Sequence, residues 1–158
     1  MIMDEGRLIS KFTPADYVDC FTKVVANGVS ADELFQRMFC QFQAWVRGLL
    51  RLRDAIVKPF GLKTGTSFTD RIIERNGEEI VIGADDKHLS FRVSVFCRKQ
   101  YATAGTAEAS VSANIPKTSI AEVTTVMKFH NMLGRIYFVG IWIFHRLIVE
   151  TLFRRATA

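Results

Sequence analysis

The chain has 158 residues, of which 49% are hydrophobic and 23% charged, and its net charge of +5 corresponds to a pI near 9.3. This composition excludes a disordered chain and predicts one globular domain over residues 1–158 with a sizeable core. The basic residues are scattered without a run of five. That pattern argues against nucleic-acid binding but is compatible with an anionic ligand or surface.

Cysteine usage and the first residues of the chain predict a cytoplasmic protein. Cys20, Cys40 and Cys97 are odd in number and far apart in sequence. We therefore expect reduced thiols rather than a disulfide framework or a zinc site. Residues 1–12 contain two acidic side chains and no continuous apolar stretch, so no signal peptide is expected.

The first third of the chain predicts a strand followed by helix. Residues 16–25 alternate loosely and are rich in strand-forming residues. Ser30 and Glu33 form a capping box, which marks the start of a helix. Apolar side chains then recur every three or four residues over 31–58, until Pro59. Because Gly48 weakens the interior, this stretch predicts either one bent helix or two short helices.

The middle of the chain changes to the two-residue period of strands. Residues 68–75 and 78–82 flank Asn76-Gly77, a pair that predicts a type I′ hairpin. After a turn at 84–87, residues 88–98 alternate between an apolar face and a polar face, and the polar face includes Ser90 and Ser94. Two more strands are predicted at 106–114 and 119–129. This order is typical of an antiparallel meander.

The last quarter predicts a long helix that follows His130 and runs to Arg155. Residues 136–144 are nine in number and carry no charge, whereas a membrane span needs about 20 apolar residues. We therefore expect no span and a buried helix, with a membrane-surface helix as the alternative. Gly134 and Gly140 are predicted to let the sheet backbone approach closely. The face opposite a narrow polar stripe carries Gly134, Phe138, Ile141, His145, Ile148 and Leu152.

Three stretches carry a resemblance to a known family. They are residues 83–95 (GADDKHLSFRVSV), 130–135 (HNMLGR) and 144–149 (FHRLIV). They resemble the bacterial family labelled domain of unknown function 2867, and the likeness extends over nearly the whole chain. The element order is similar to that of the START-like, or Bet v 1-like (SRPBCC), helix-grip superfamily. This resemblance implies an α+β fold in which a curved antiparallel sheet wraps a long C-terminal helix, with a ligand cavity between them. It implies no settled activity.

Several polar residues are candidates for acid–base chemistry. Asp85 and Asp86 are paired carboxylates that could act as acid and base, but their predicted place in a hairpin turn favours capping of backbone N–H groups. His88 could pair with either carboxylate as an oriented base or could anchor the turn. His130 precedes the last helix and is expected to serve its N-terminus.

The remaining candidates are one histidine and two arginines. His145 lies on the apolar side of the last helix, where it is either a hydrogen-bonded core histidine or a ligand contact. Arg92 and Arg135 could bind a carboxylate or phosphate, or could form surface ion pairs, which alternation favours for Arg92. Three histidines without suitable spacing predict no metal site.

These features favour a protein that binds a small hydrophobic or amphipathic molecule, without a cofactor. Two alternatives stay open: a cyclase, dehydratase or isomerase on the same scaffold, and a non-catalytic interaction module related to domains that follow an NAD-binding Rossmann domain. A homodimer is also left open. The expected ligand-lining residues are Phe42, Trp45, Phe91, Val93, Val95, Phe138, Ile141 and His145.

Overall fold

The computed structural model describes residues 6–26, 28–41, 44–60, 69–101 and 116–158. The α+β class with a long C-terminal helix is confirmed. The strands are β1 (Tyr17–Ala26), β2 (Ile72–Arg75), β3 (Glu79–Asp85), β4 (Leu89–Tyr101) and β5 (Pro116–Phe129). The α-helices are α1 (Ala31–Phe39), α2 (Ala44–Val57) and α3 (Met132–Ala156), and short 3-10 helices cover Leu8–Phe12, Lys58–Phe60 and Thr69–Arg71.

The five strands form one open antiparallel sheet in the order β1-β5-β4-β3-β2. Strands β2 to β5 are the predicted meander, and β1 joins its far side by pairing with β5, so that Tyr17 lies opposite Met127. The long strands β4 and β5 occupy the middle, where Val93 lies opposite Thr125. This arrangement is consistent with a helix-grip fold.

The helices cover one face of the sheet and form the main core with it. Leu34 and Met38 of α1 and Val46 of α2 are fully buried against the side chains of Val95 and Val123. Residues 31–57 form two helices rather than one bent helix, with a break between Phe39 and Ala44. The predicted cap holds, since the Ser30 hydroxyl accepts a hydrogen bond from the Glu33 N–H at 3.2 Å.

The structure corrects two details around the first hairpin. The predicted strand at 68–75 is shorter, because residues 69–71 form a 3-10 turn. The type I′ assignment is wrong, since Gly77 does not have the positive φ that this turn requires. Instead the Asn76 side chain accepts hydrogen bonds from the N–H groups of Glu78 (2.9 Å) and Glu79 (2.7 Å) and closes the loop. The strand predicted at 106–114 lies outside the described residues.

The sheet face predicted to be polar, on which a surface place was favoured for Arg92, is in fact buried beneath residues 7–12. Ser94 is fully buried there, and Glu79 is 1% exposed. The Glu79 carboxylate accepts hydrogen bonds from the Ser94 hydroxyl and from the backbone N–H groups of Leu8 (2.6 Å) and Ile9 (3.3 Å). It also lies 3.4 Å from the guanidinium of Arg7. The N-terminal segment therefore closes the second face through one buried carboxylate.

Helix α3 begins at a well-formed cap and touches the sheet closely. The Asn131 side chain accepts a hydrogen bond from the Gly134 N–H at 3.0 Å. A Cβ at Gly134 would collide with the backbone carbonyl of His88, which confirms the close approach predicted there. The close approach predicted at Gly140 is wrong, because nothing lies within 4 Å of a Cβ at that position. The expectation of a buried helix is wrong for one side of α3, because Ile136 and Val139 are 64% and 74% exposed.

Candidate functional site

The inner face of α3 brings an aromatic cluster and a histidine against the ends of β1 and β5. The Phe138 ring is buried, with its centroid 4.6 Å from the ring centroid of Tyr17 and 5.4 Å from that of Phe129. The His145 ring lies edge-on to Phe138 at 6.2 Å. Ile141, one turn before His145, is partly buried. The predicted placement of Phe138, Ile141 and His145 on one inner face is therefore confirmed.

A chain of polar side chains runs alongside this cluster. The Trp142 indole N–H donates to the Tyr17 hydroxyl at 3.1 Å, and that hydroxyl donates to a carboxylate oxygen of Asp19 at 3.1 Å. Sequence reasoning did not select Asp19. The signal was available, because alternation in β1 places Asp19 on the same face as Tyr17 and Phe21, which packs against the core. A carboxylate between two aromatic residues on an inward face is a candidate for a polar site.

Electrostatics keep the His145 ring neutral. Burial lowers its pKa from 6.5 to about 4, while the charge of Asp19 raises this pKa and the charge of Arg53 lowers it. Its Nε2 atom is shielded from solvent and has no hydrogen-bond partner in the part of the chain that the structure describes. The predicted alternative of a satisfied core histidine is therefore not met at this atom.

Helix α2 supplies the charged side of the same region. Arg53 donates to the Asp54 carboxylate from Nε at 3.1 Å and from a terminal nitrogen at 2.7 Å. Burial raises the pKa of the Tyr137 hydroxyl, while the charge of Arg53 lowers this pKa and the charge of Asp54 raises it. The charge of Arg53 on α2 thus acts on both Tyr137 and His145 of α3.

The other predicted lining residues have different environments. Val93 and Val95 are buried in the main core, and Phe91 packs against that core while partly exposed. Trp45 is 42% exposed. Phe42 lies outside the described residues. A ligand contact at these positions stays a prediction.

The carboxylate pair of the β3–β4 hairpin is structural. The two terminal guanidinium nitrogens of Arg92 donate to the Asp85 carboxylate, each at 3.0 Å, and this pairing lowers the pKa of the Asp85 carboxyl. Arg92 is therefore paired, as predicted, although its side chain is only 14% exposed and not on the open surface. Asp86 accepts from the Lys87 N–H at 2.6 Å within the turn. His88 accepts from the Asn131 side-chain amide at 3.0 Å rather than pairing with either aspartate.

One further serine–histidine contact lies at the start of α3. The Ser90 hydroxyl is 2.8 Å from Nε2 of His130. The structure gives no carboxylate at the other ring nitrogen among the residues it describes, so this pair lacks the orienting acid of a hydrolase triad. It fastens β4 to the β5–α3 junction. Nearby, Arg135 lies 3.7 Å from Asp16 in an exposed ion pair, which matches the surface alternative.

Among the described residues, no group of three or more histidine, cysteine or acidic side chains is placed to hold a metal ion. The sequence model of a family described as "Protein of unknown function (DUF2867)" matches residues 12–152. Neither a curated protein nor a solved structure matches the chain.

Proposed function

The chain belongs to this DUF2867 family of unknown function, and we propose that it binds a small hydrophobic or amphipathic molecule between the sheet and α3, as START-like helix-grip proteins do. The observation that carries the proposal is the unpartnered Nε2 atom of His145 on the inner face of α3. The apolar part of the ligand would pack near Phe138 and Ile141. Its polar group would pair with the histidine.

The energetics of an unpaired buried nitrogen support a ligand role. A buried polar atom without a hydrogen bond costs about 1–3 kcal/mol in folding stability. A leucine at position 145 would fill similar space without this cost. A histidine that destabilises the folded chain is explained if it gains a partner when a ligand binds.

The uncharged state of His145 indicates which kind of polar group the ligand carries. Its pKa of about 4 leaves the ring uncharged at pH 7, so the Nε2 atom offers a hydrogen bond without a positive charge. A hydroxyl or carbonyl group suits such a partner better than a carboxylate, because an anion would be desolvated without an opposite charge at this atom. The proposed ligand is therefore an apolar molecule with a neutral polar head.

The first test is native mass spectrometry of the protein purified from its own host, followed by denaturing extraction of any bound molecule. A titration with decanol and decanoate, which share chain length and differ in head group, then tests the polar contact. We expect decanol to bind more tightly than decanoate at pH 7. We expect His145→Leu to weaken decanol binding about fivefold, the loss of one ordinary hydrogen bond.

A matched control is His88→Gln, which changes a histidine outside the inner face of α3 and should leave decanol binding unchanged. A clean apo mass, together with no thermal shift for either probe, would contradict the binding function. Tighter binding of decanoate would contradict only the neutral head group. Equal decanol affinity of the wild-type and His145→Leu proteins would show that His145 does not contact the ligand.

A further inference from the structure

The outer side of α3 carries an exposed row of apolar residues, which we call the outer stripe. Its members lie four, three, four and four residues apart, so they align along one side of the helix over about 22 Å. Each is between 50% and 74% exposed. They are Met132, Ile136, Val139, Ile143 and Leu147. A contiguous apolar surface of this kind marks a place where something else binds.

Helix α3 is long and apolar enough to cross a membrane by length and composition, and 28% of its most apolar 18-residue window is buried within the protein. Its opposite side, however, is part of the fold. Phe138, Leu152 and Phe153 are buried, and the Gly134 backbone lies against the carbonyl of His88. Crossing a bilayer would require extracting these side chains from the core. The outer stripe can contact an apolar partner only with the helix axis parallel to that partner's surface.

The charges of α3 distinguish between two possible partners. The helix contains four arginines and a single acidic residue, Glu150. Arg146 and Arg155 have no carboxylate partner within the described chain, and Arg146 lies beside Trp142 at the edge of the stripe. Pairing two copies of α3 along the stripe would bring these like charges together. An anionic surface would attract them, and an indole at the edge suits a membrane interface.

We propose that the outer stripe docks the protein onto an anionic lipid bilayer, with α3 lying in the interface and its arginines next to the lipid head groups. As in other helices that lie in the interface, the lipid-facing apolar side chains would enter about 5–10 Å into the head-group region. The proposal is independent of ligand binding at His145, because that residue lies on the opposite, inner face of the helix. Each can fail without the other.

The test is cosedimentation of the full chain with vesicles of phosphatidylcholine alone or of phosphatidylcholine with 30% phosphatidylserine. We expect binding to the anionic vesicles, little to the neutral ones, and at least a tenfold loss of affinity between 0.05 M and 0.5 M NaCl. The variant Ile136→Ser/Val139→Ser/Ile143→Ser should bind at least tenfold more weakly. Because all three side chains are exposed, it should fold normally, which circular dichroism checks.

The matched control is Ile73→Ser, which removes an apolar side chain that is 50% exposed on the edge strand β2. It should bind vesicles like the wild type. An Arg146→Gln/Arg155→Gln variant should weaken binding and reduce its salt dependence. Absence of binding to anionic vesicles at low salt, or unchanged binding of the triple variant, would overturn the proposal. So would sedimentation showing a lipid-free dimer that the triple variant abolishes, since the stripe would then bind a second copy.

Discussion

The stability of the protein should depend on pH through His145. Its pKa is 6.5 in an unfolded chain and about 4 in the folded one. Between these values the unfolded state binds a proton that the folded state does not, so the free energy of unfolding falls as the pH falls. Linkage over this window gives a loss of about 2 kcal/mol between pH 7 and pH 5. Stability should continue to fall below pH 5, and the whole loss should be largely complete near pH 4.

Urea unfolding of the wild type and of His145→Leu, at pH 7, 6 and 5, isolates this effect. The variant should lack the loss of about 2 kcal/mol, and at pH 7 it should equal or exceed the wild type in stability, because an unpaired buried nitrogen has been removed. The Asp85 carboxyl, whose pKa Arg92 lowers from 3.8, contributes stability that is lost only at lower pH and equally in both proteins. His88→Gln should keep the wild-type profile. Parallel pH profiles for wild type and His145→Leu would refute the assignment of a buried, neutral imidazole.

Five further substitutions, two of them controls, test the contacts that hold the fold together. Gly134→Ala should destabilise the protein by about 2 kcal/mol or more in thermal unfolding, since its Cβ would meet a backbone carbonyl. Gly140→Ala should stabilise α3 by about 0.5–1 kcal/mol, because open space surrounds the added Cβ. Glu79→Ala should lower the free energy of unfolding by about 3 kcal/mol or more and expose residues 7–12 to limited proteolysis. Glu74→Ala, which removes a partly exposed carboxylate, should change it by less than about 1 kcal/mol, and equal effects would refute the role of the buried carboxylate. Asn131→Ala should cost about 1 kcal/mol through the lost cap, and an unchanged melting temperature would contradict this.

Much of the fold could be predicted because local signals agree with the final packing. A capping serine followed by apolar residues three or four apart predicted the helical stretch that contains α1 and α2. The break between the two helices lies inside this stretch. Strict alternation from Leu89 onward predicted β4 and its inward face. The close contact of Gly134 with the sheet was predicted correctly, but the same argument from an interior helix glycine failed at Gly140, where a Cβ would meet open space.

The second face of the sheet could not be predicted from alternation alone. Alternation places Ser90 and Ser94 on a polar face, but it does not show whether another segment covers that face. The partner of that face is the N-terminal segment, more than 60 residues away in sequence, and it binds through Glu79. A glutamate at the start of a strand is usually exposed to solvent. Its burial depends on Arg7 and two backbone N–H groups that only the tertiary structure brings together.

The same limit explains the two sides of α3. Apolar residues surround most of this helix, so its sequence predicts burial without saying on which side. The packing resolves the ambiguity: Phe138 and Leu152 enter the core, and Ile136 and Val139 do not. Selection for the fold alone would not require apolar side chains on the second side, because polar residues there would leave the core unchanged. The inner side, with an unpaired His145 nitrogen, and the outer stripe thus raise separate functional questions on one helix, and substitutions on either side can test one without altering the other.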